Sequence, residues 1–103
     1  MEAAPSNDAM LTARLRVPEH VVYRDFDDET VVLNLDSGQY HGLNPTAAAM
    51  LAAVNRAETV GGAVEPLAAE LGQPPEVIER DLLELCQALA DRGLLERDDG
   101  DAG

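Results

Sequence analysis

Few residues of this sequence are equipped for covalent or acid–base chemistry. It holds one cysteine, Cys86, and two histidines, His20 and His41. Cys86 sits in a helical run between Glu84 and Gln87. No cationic neighbour in that run would lower its thiol pKa, so it reads as a packing residue rather than a nucleophile. A single cysteine also excludes an internal disulfide framework and a cysteine-based zinc site. His41 has no matched nucleophile nearby and reads as a strand residue. Asp25, Asp27, Asp28 and Glu29 crowd one stretch. A calcium loop needs regular ligand spacing and a turning glycine, and neither is present, so this run reads as a solvated hairpin turn. No catalytic residue, metal ligand or cofactor follows from these groups.

The remaining candidate chemistry belongs to the backbone. The segment Gln39-Tyr40-His41-Gly42-Leu43 reads as the last strand of a small sheet. An outer strand carries unpaired N–H and C=O groups, which are a template for another strand. Gly42 allows close approach of a second backbone there. The elements that must position this edge can be read on both sides of it. Val21-Val22-Tyr23-Arg24 and Thr30-Val31-Val32-Leu33-Asn34-Leu35 are strand-like, with Val31, Leu33 and Leu35 sharing a face by alternation. Asp36-Ser37-Gly38 supplies the chemistry of a short hairpin loop. Three strands with two short turns predict an antiparallel meander.

From residue 44 the period changes to helical. Asn44-Pro45 is an N-cap followed by the residue suited to the first helical position, ahead of an alanine-rich run to Val54. Thr59 is a candidate cap for a second helix reaching Leu71, with Val64, Leu67, Ala68 and Leu71 as its stripe. Gly72-Gln73-Pro74-Pro75 stops it and starts a third, which runs to about Arg92 and ends at Gly93. Ile78, Leu82, Leu85 and Leu89 form the core stripe of that helix. Leu83, Cys86 and Ala90, near Glu79, widen it on one side and are the candidate wall of a groove beside the strand edge. The fold class is therefore α+β: a winged helix-turn-helix-like domain, a three-stranded antiparallel β-meander followed by three α-helices. The boundaries expected are a flexible N-terminal segment over 1–14, a folded unit over 15–96 and a disordered acidic tail over 97–103.

Composition narrows the function classes. The chain has 103 residues, so it is one domain, with 46% hydrophobic residues and only three aromatics, Tyr23, Phe26 and Tyr40. Its formal net charge is −13, with 20 acidic residues against 7 basic, all arginine. The third helix carries Glu76, Glu79, Asp81, Glu84 and Asp91 against Arg80 and Arg92. That excludes nucleic acid as a partner and argues against anionic membranes. No apolar run is long enough to span a bilayer, and the first residues lack the basic region of a signal peptide. A cytoplasmic location is the expectation, as a monomer or weak dimer.

The run Val31-Val32-Leu33-Asn34-Leu35-Asp36-Ser37-Gly38-Gln39-Tyr40-His41-Gly42-Leu43-Asn44-Pro45-Thr46-Ala47-Ala48 resembles the signature of PqqD-like proteins. The later Ile78, Asp81, Leu82, Leu85, Leu89 and Gly93-Leu94-Leu95 spacing fits as well. Gly42-Leu43-Asn44-Pro45-Thr46-Ala47 is most similar to the free-standing recognition elements of lasso-peptide pathways. The resemblance covers about residues 18–96. It implies a non-catalytic RiPP recognition element, which binds the leader peptide of a ribosomally made precursor. The leader would add as a strand to the third strand and lie against the third helix. The site residues implied are Gln39, Tyr40, His41, Gly42, Leu43, Glu79, Leu82, Leu83, Cys86 and Ala90. The partners implied are the leader peptide, a leader peptidase of the cysteine-protease type and an ATP-dependent lasso cyclase. Two alternatives stand beside it: a peptide chaperone of a radical-SAM pathway, and an adaptor that docks on an enzyme without touching a leader.

Overall fold

A computed structural model describes residues 7–98 of the chain. In chain order the elements are α1 (Asn7–Thr12), β1 (Leu15–Arg16), β2 (Val21–Asp25), β3 (Thr30–Asn34), β4 (Tyr40–Leu43), α2 (Pro45–Arg56), a 3-10 turn (Gly61–Ala63), α3 (Val64–Leu71), α4 (Pro75–Asp91) and β5 (Glu96–Arg97). Strands β2, β3 and β4 form the antiparallel meander in that order. The α+β plan, a meander and then helices, is as the sequence predicts.

Local chemistry explains the boundaries. The Asn44 side chain accepts a hydrogen bond from the Ala47 N–H at 2.8 Å, and Pro45 opens α2. Thr59 Oγ1 accepts from the Gly62 N–H at 3.0 Å, so it caps the 3-10 turn that leads into α3. Gly72 and Gly93 end α3 and α4 with φ of +66° and +72°, values that favour glycine.

The helices pack as one layer against one face of the sheet. Val21 of β2, Thr30, Val32 and Asn34 of β3 and Leu43 of β4 are buried with Leu51, Val54, Val60, Leu67, Ile78, Leu82, Leu89 and Leu94. The buried face of β3 is therefore Thr30, Val32 and Asn34, not the Val31, Leu33 and Leu35 face. Val31 and Leu33 are half-buried on the outer face and Leu35 is exposed. Polar Thr30 and Asn34 fit inside because both are hydrogen-bonded; Thr30 Oγ1 donates to Asp25 Oδ1 at 2.6 Å.

Two elements flank the expected unit. In α1, Met10 and Leu11 pack against the core, and Ala13 just after it is buried. β1 pairs antiparallel with β5, Leu15 opposite Arg97 and Arg16 opposite Glu96. The Arg16 guanidinium lies 2.8 Å and that of Arg14 3.6 Å from the Asp98 carboxylate. The folded unit thus reaches past 15–96 at both ends, because these charges meet only in space. Residues 1–6 and 99–103, where part of the flexible segment and the acidic tail were expected, lie outside the described residues.

Candidate functional site

The phase of the ladder decides what β4 offers. Asn34 N–H donates to the Gln39 carbonyl at 2.8 Å. Hydrogen-bonded and non-bonded pairs alternate along an antiparallel ladder. With Val32 opposite His41 and Thr30 opposite Leu43, the backbones of Gln39, His41 and Leu43 face β3. Those of Tyr40 and Gly42 face the other way. Among the described residues no strand pairs with that side of β4, so it is a free edge whose N–H and C=O groups come from Tyr40 and Gly42.

The C-terminal end of helix α4 reaches this strand. Arg92, which caps α4, brings Nη1 to 3.5 Å from Nδ1 of His41. Next to Arg92 lies an open trough of about 500 Å³ lined by Ser37, Gly38, Gln39, Tyr40 and Arg92. Beyond the other end of β4 a second cavity, of about 310 Å³, is lined by Thr46 and Met50 of α2, Leu71, Gln73 and, from α4, Val77, Ile78 and Asp81. At 100° per residue Val77, Asp81, Leu85, Ala88 and Arg92 share one flank of α4. The two ends of that flank, Val77 with Asp81 and then Arg92, border the two cavities.

A residue the sequence reading passed over holds this arrangement together. Asn34 is buried at the start of the β3–β4 turn. Its Oδ1 accepts from the N–H groups of Asp36 at 2.9 Å and Ser37 at 3.1 Å, and its Nδ2 donates to the Gly93 carbonyl at 3.1 Å. One side chain thus shapes the turn and ties it to the end of α4, directly after Arg92. The signal was present: an Asn two residues before an Asp-Ser-Gly loop is a turn-forming residue. Its reach to Gly93 is a long-range contact with no local trace.

The structure disperses the other predicted groove residues. Gln39, Tyr40, His41 and Gly42 lie along the edge, and Leu43 points into the core. The Tyr40 side chain is 66% exposed on the outer face of the sheet, across from Leu33, while His41 is half-buried on the helix side. Gly42 is exposed, and the Glu29 carboxylate occupies the space a Cβ there would take. Leu82 and Cys86 are 0% and 1% exposed and belong to the core, so neither lines an open surface. Cys86 rather than Leu85 completes the buried stripe, because the core stripe drifts around the helix. Burial pushes the Cys86 thiol up to about 12, which removes any nucleophilic role at neutral pH. Glu79 and Leu83, half-buried, and Ala90, exposed, lie on the opposite flank of α4 from Arg92. Among the described residues no cluster of histidine, cysteine and acidic side chains could hold a metal.

A three-stranded antiparallel meander followed by helices, the last two joined by a short turn, defines the class: a small winged helix-turn-helix-like domain. The family model for coenzyme PQQ synthesis protein D (PqqD) matches residues 29–95. Two solved structures are similar. TbiB1 in complex with the TbiA(beta) leader peptide shares 30% identity and a TM-score of 0.68, over 85% of this chain and 99% of that one. Lasso peptide synthetase B1 complexed with the leader peptide shares 25% identity and a TM-score of 0.71, over 82% of this chain and 99% of that one. No curated protein matches. The chain belongs to the PqqD family, as the resemblance over residues 31–48 indicated.

Proposed function

We propose that this chain binds the leader peptide of a ribosomally made precursor, of the lasso-peptide kind, as a fourth strand of its meander. One observation carries the reading: β4 has a free edge with the outward backbone groups of Tyr40 and Gly42, and the trough at its Tyr40 end is bordered across from it by Arg92 at the end of α4. Main-chain bonds would supply affinity and the flanking cavities side-chain selectivity. The other outer strand, β2, lacks such a wall; its residues from Val22 to Asp25 are all exposed. Both similar solved structures hold a leader peptide, which supports the same reading.

The domain acts by binding, not catalysis. It presents the leader to a cysteine protease that removes it and to an ATP-dependent cyclase that closes the ring. It works in the cytoplasm as a monomer or weak dimer; no helix among the described residues is long and apolar enough to cross a membrane. Of the predicted residues, the edge from Gln39 to Leu43 is retained. On α4 the wall is assigned instead to Val77, Asp81, Leu85, Ala88 and Arg92.

The test is an anisotropy titration of the chain with labelled lasso leader peptides, beginning with the TbiA(beta) leader. Saturable binding at micromolar affinity or tighter, about −8 kcal/mol, is expected, and its loss in Gly42→Pro. No binding across such a panel by a folded chain would move the function to an adaptor.

A further inference from the structure

We propose that Arg92 and His41 form a subsite for an acidic side chain of the bound peptide, at the end of the trough beside the β3–β4 turn. The inference rests on the strand-addition reading and specifies the sequence that the same site selects.

Nη1 of Arg92 lies 3.5 Å from Nδ1 of His41, so the guanidinium and the imidazole are side by side at this end of β4. Among the described residues no carboxylate lies within ion-pair distance of Arg92, as is also true of Arg24 and Arg56, but of these three only Arg92 borders the trough beside β4. In a chain of net charge −13, this guanidinium is the one cationic side chain lining the trough, and it complements an anionic group there. The position is fixed: Asn34 ties the adjoining Gly93 carbonyl to the turn that forms the trough's opposite lip. The trough there is open and wide enough for a carboxylate side chain.

The ladder phase says which peptide residues reach it. His41 projects to the helix side of the sheet, and residues directly opposite each other share a face. A residue of the added strand lying opposite His41, or two further toward Gln39, points its side chain at Arg92. An Asp or Glu there can accept from the guanidinium, the geometry arginine favours. At the other end Asp81 borders the second cavity and disfavours the same charge. The site therefore reads both the presence and the placement of an acid.

Random peptides displayed on phage would be selected on the full chain and on Arg92→Glu, both shown folded by circular dichroism. Binders would be counter-screened on Gly42→Pro. The expected result is a consensus with Asp or Glu at one fixed position, replaced by Lys or Arg at that position on Arg92→Glu. Changing that acid to its amide should weaken binding to the wild type about tenfold and to Arg92→Gln less than about twofold. Binders that Gly42→Pro abolishes, but without an acidic position that Arg92→Glu reverses, would overturn the subsite alone. Absence of any binder sensitive to Gly42→Pro would overturn strand addition, and the subsite with it.

Discussion

Replacing Asn34 with alanine should both destabilise the fold and loosen the trough. The side chain makes three hydrogen bonds. The two it accepts come from N–H groups of exposed turn residues, which water can satisfy, so each loss costs about 0.5 kcal/mol. The third is the tie to the Gly93 carbonyl, and with it goes the packing of a side chain that is itself buried, together about 1–2 kcal/mol. Together the change is worth about 2–3 kcal/mol. At 4–8 °C per kcal/mol for a domain of this size, that lowers Tm by about 10–20 °C. Thermal and urea unfolding followed by circular dichroism measure it. Asn34→Asp separates the two halves of the role, because it keeps an acceptor for the turn but has no Nδ2 donor for Gly93. Leader affinity, measured well below both melting points, should fall for each variant, since each frees the turn from the end of α4. An Asn34→Ala protein that melts within about 2 °C of wild type would refute the assignment of Asn34 as the tie.

Four further outcomes follow from particular contacts. Leu82→Ala empties a fully buried position of α4 and should cost about 2–5 kcal/mol by urea unfolding, with no change in ligand preference if the protein folds. The Cys86 thiol should resist alkylation at pH 8 in the native state and react once urea unfolds the chain. The thiol's ordinary value is 9.0 and its folded value about 12, so the unfolded chain ionises first and stability should fall between those pH values, with no effect through this group below pH 9. Gly42→Ala should be nearly neutral for stability and binding, since the Glu29 carboxylate can swing aside, whereas Gly42→Pro removes an outward N–H and should abolish binding while the fold persists.

Much of the fold is legible in the residues because its signals are local. The Asn44-Pro45 start, the glycines at 72 and 93 and the alternation of β3 each act within a few positions. What the sequence withholds is which of two faces is inside. Alternation in β3 offers an apolar face of Val31, Leu33 and Leu35 and a mixed one of Thr30, Val32 and Asn34. The mixed face is buried because Asp25 and Gly93 satisfy its polar groups, and Gly93 lies far off in the chain. The same ambiguity governs α4. A widened apolar stripe has two shoulders, and a helical wheel cannot say which one is nearer β4; the contact between Arg92 and His41 favours the Arg92 side. The short strand pair β1 and β5 also depends on a charge match, Arg14 and Arg16 with Asp98, between opposite ends of the folded unit. The free edge itself was legible, because a meander of three strands must leave two outer ones.

Amide hydrogen exchange by NMR, with and without a saturating leader peptide, tests strand addition most directly. In the free protein the Tyr40 and Gly42 amides, which face outward, should exchange fast, and those of His41 and Leu43, bonded to β3, slowly. Added leader should protect Tyr40 and Gly42 and leave His41 and Leu43 little changed. Protection appearing instead on the outward amides of β2, Tyr23 and Asp25, or on neither pair while the peptide is bound, would contradict the account.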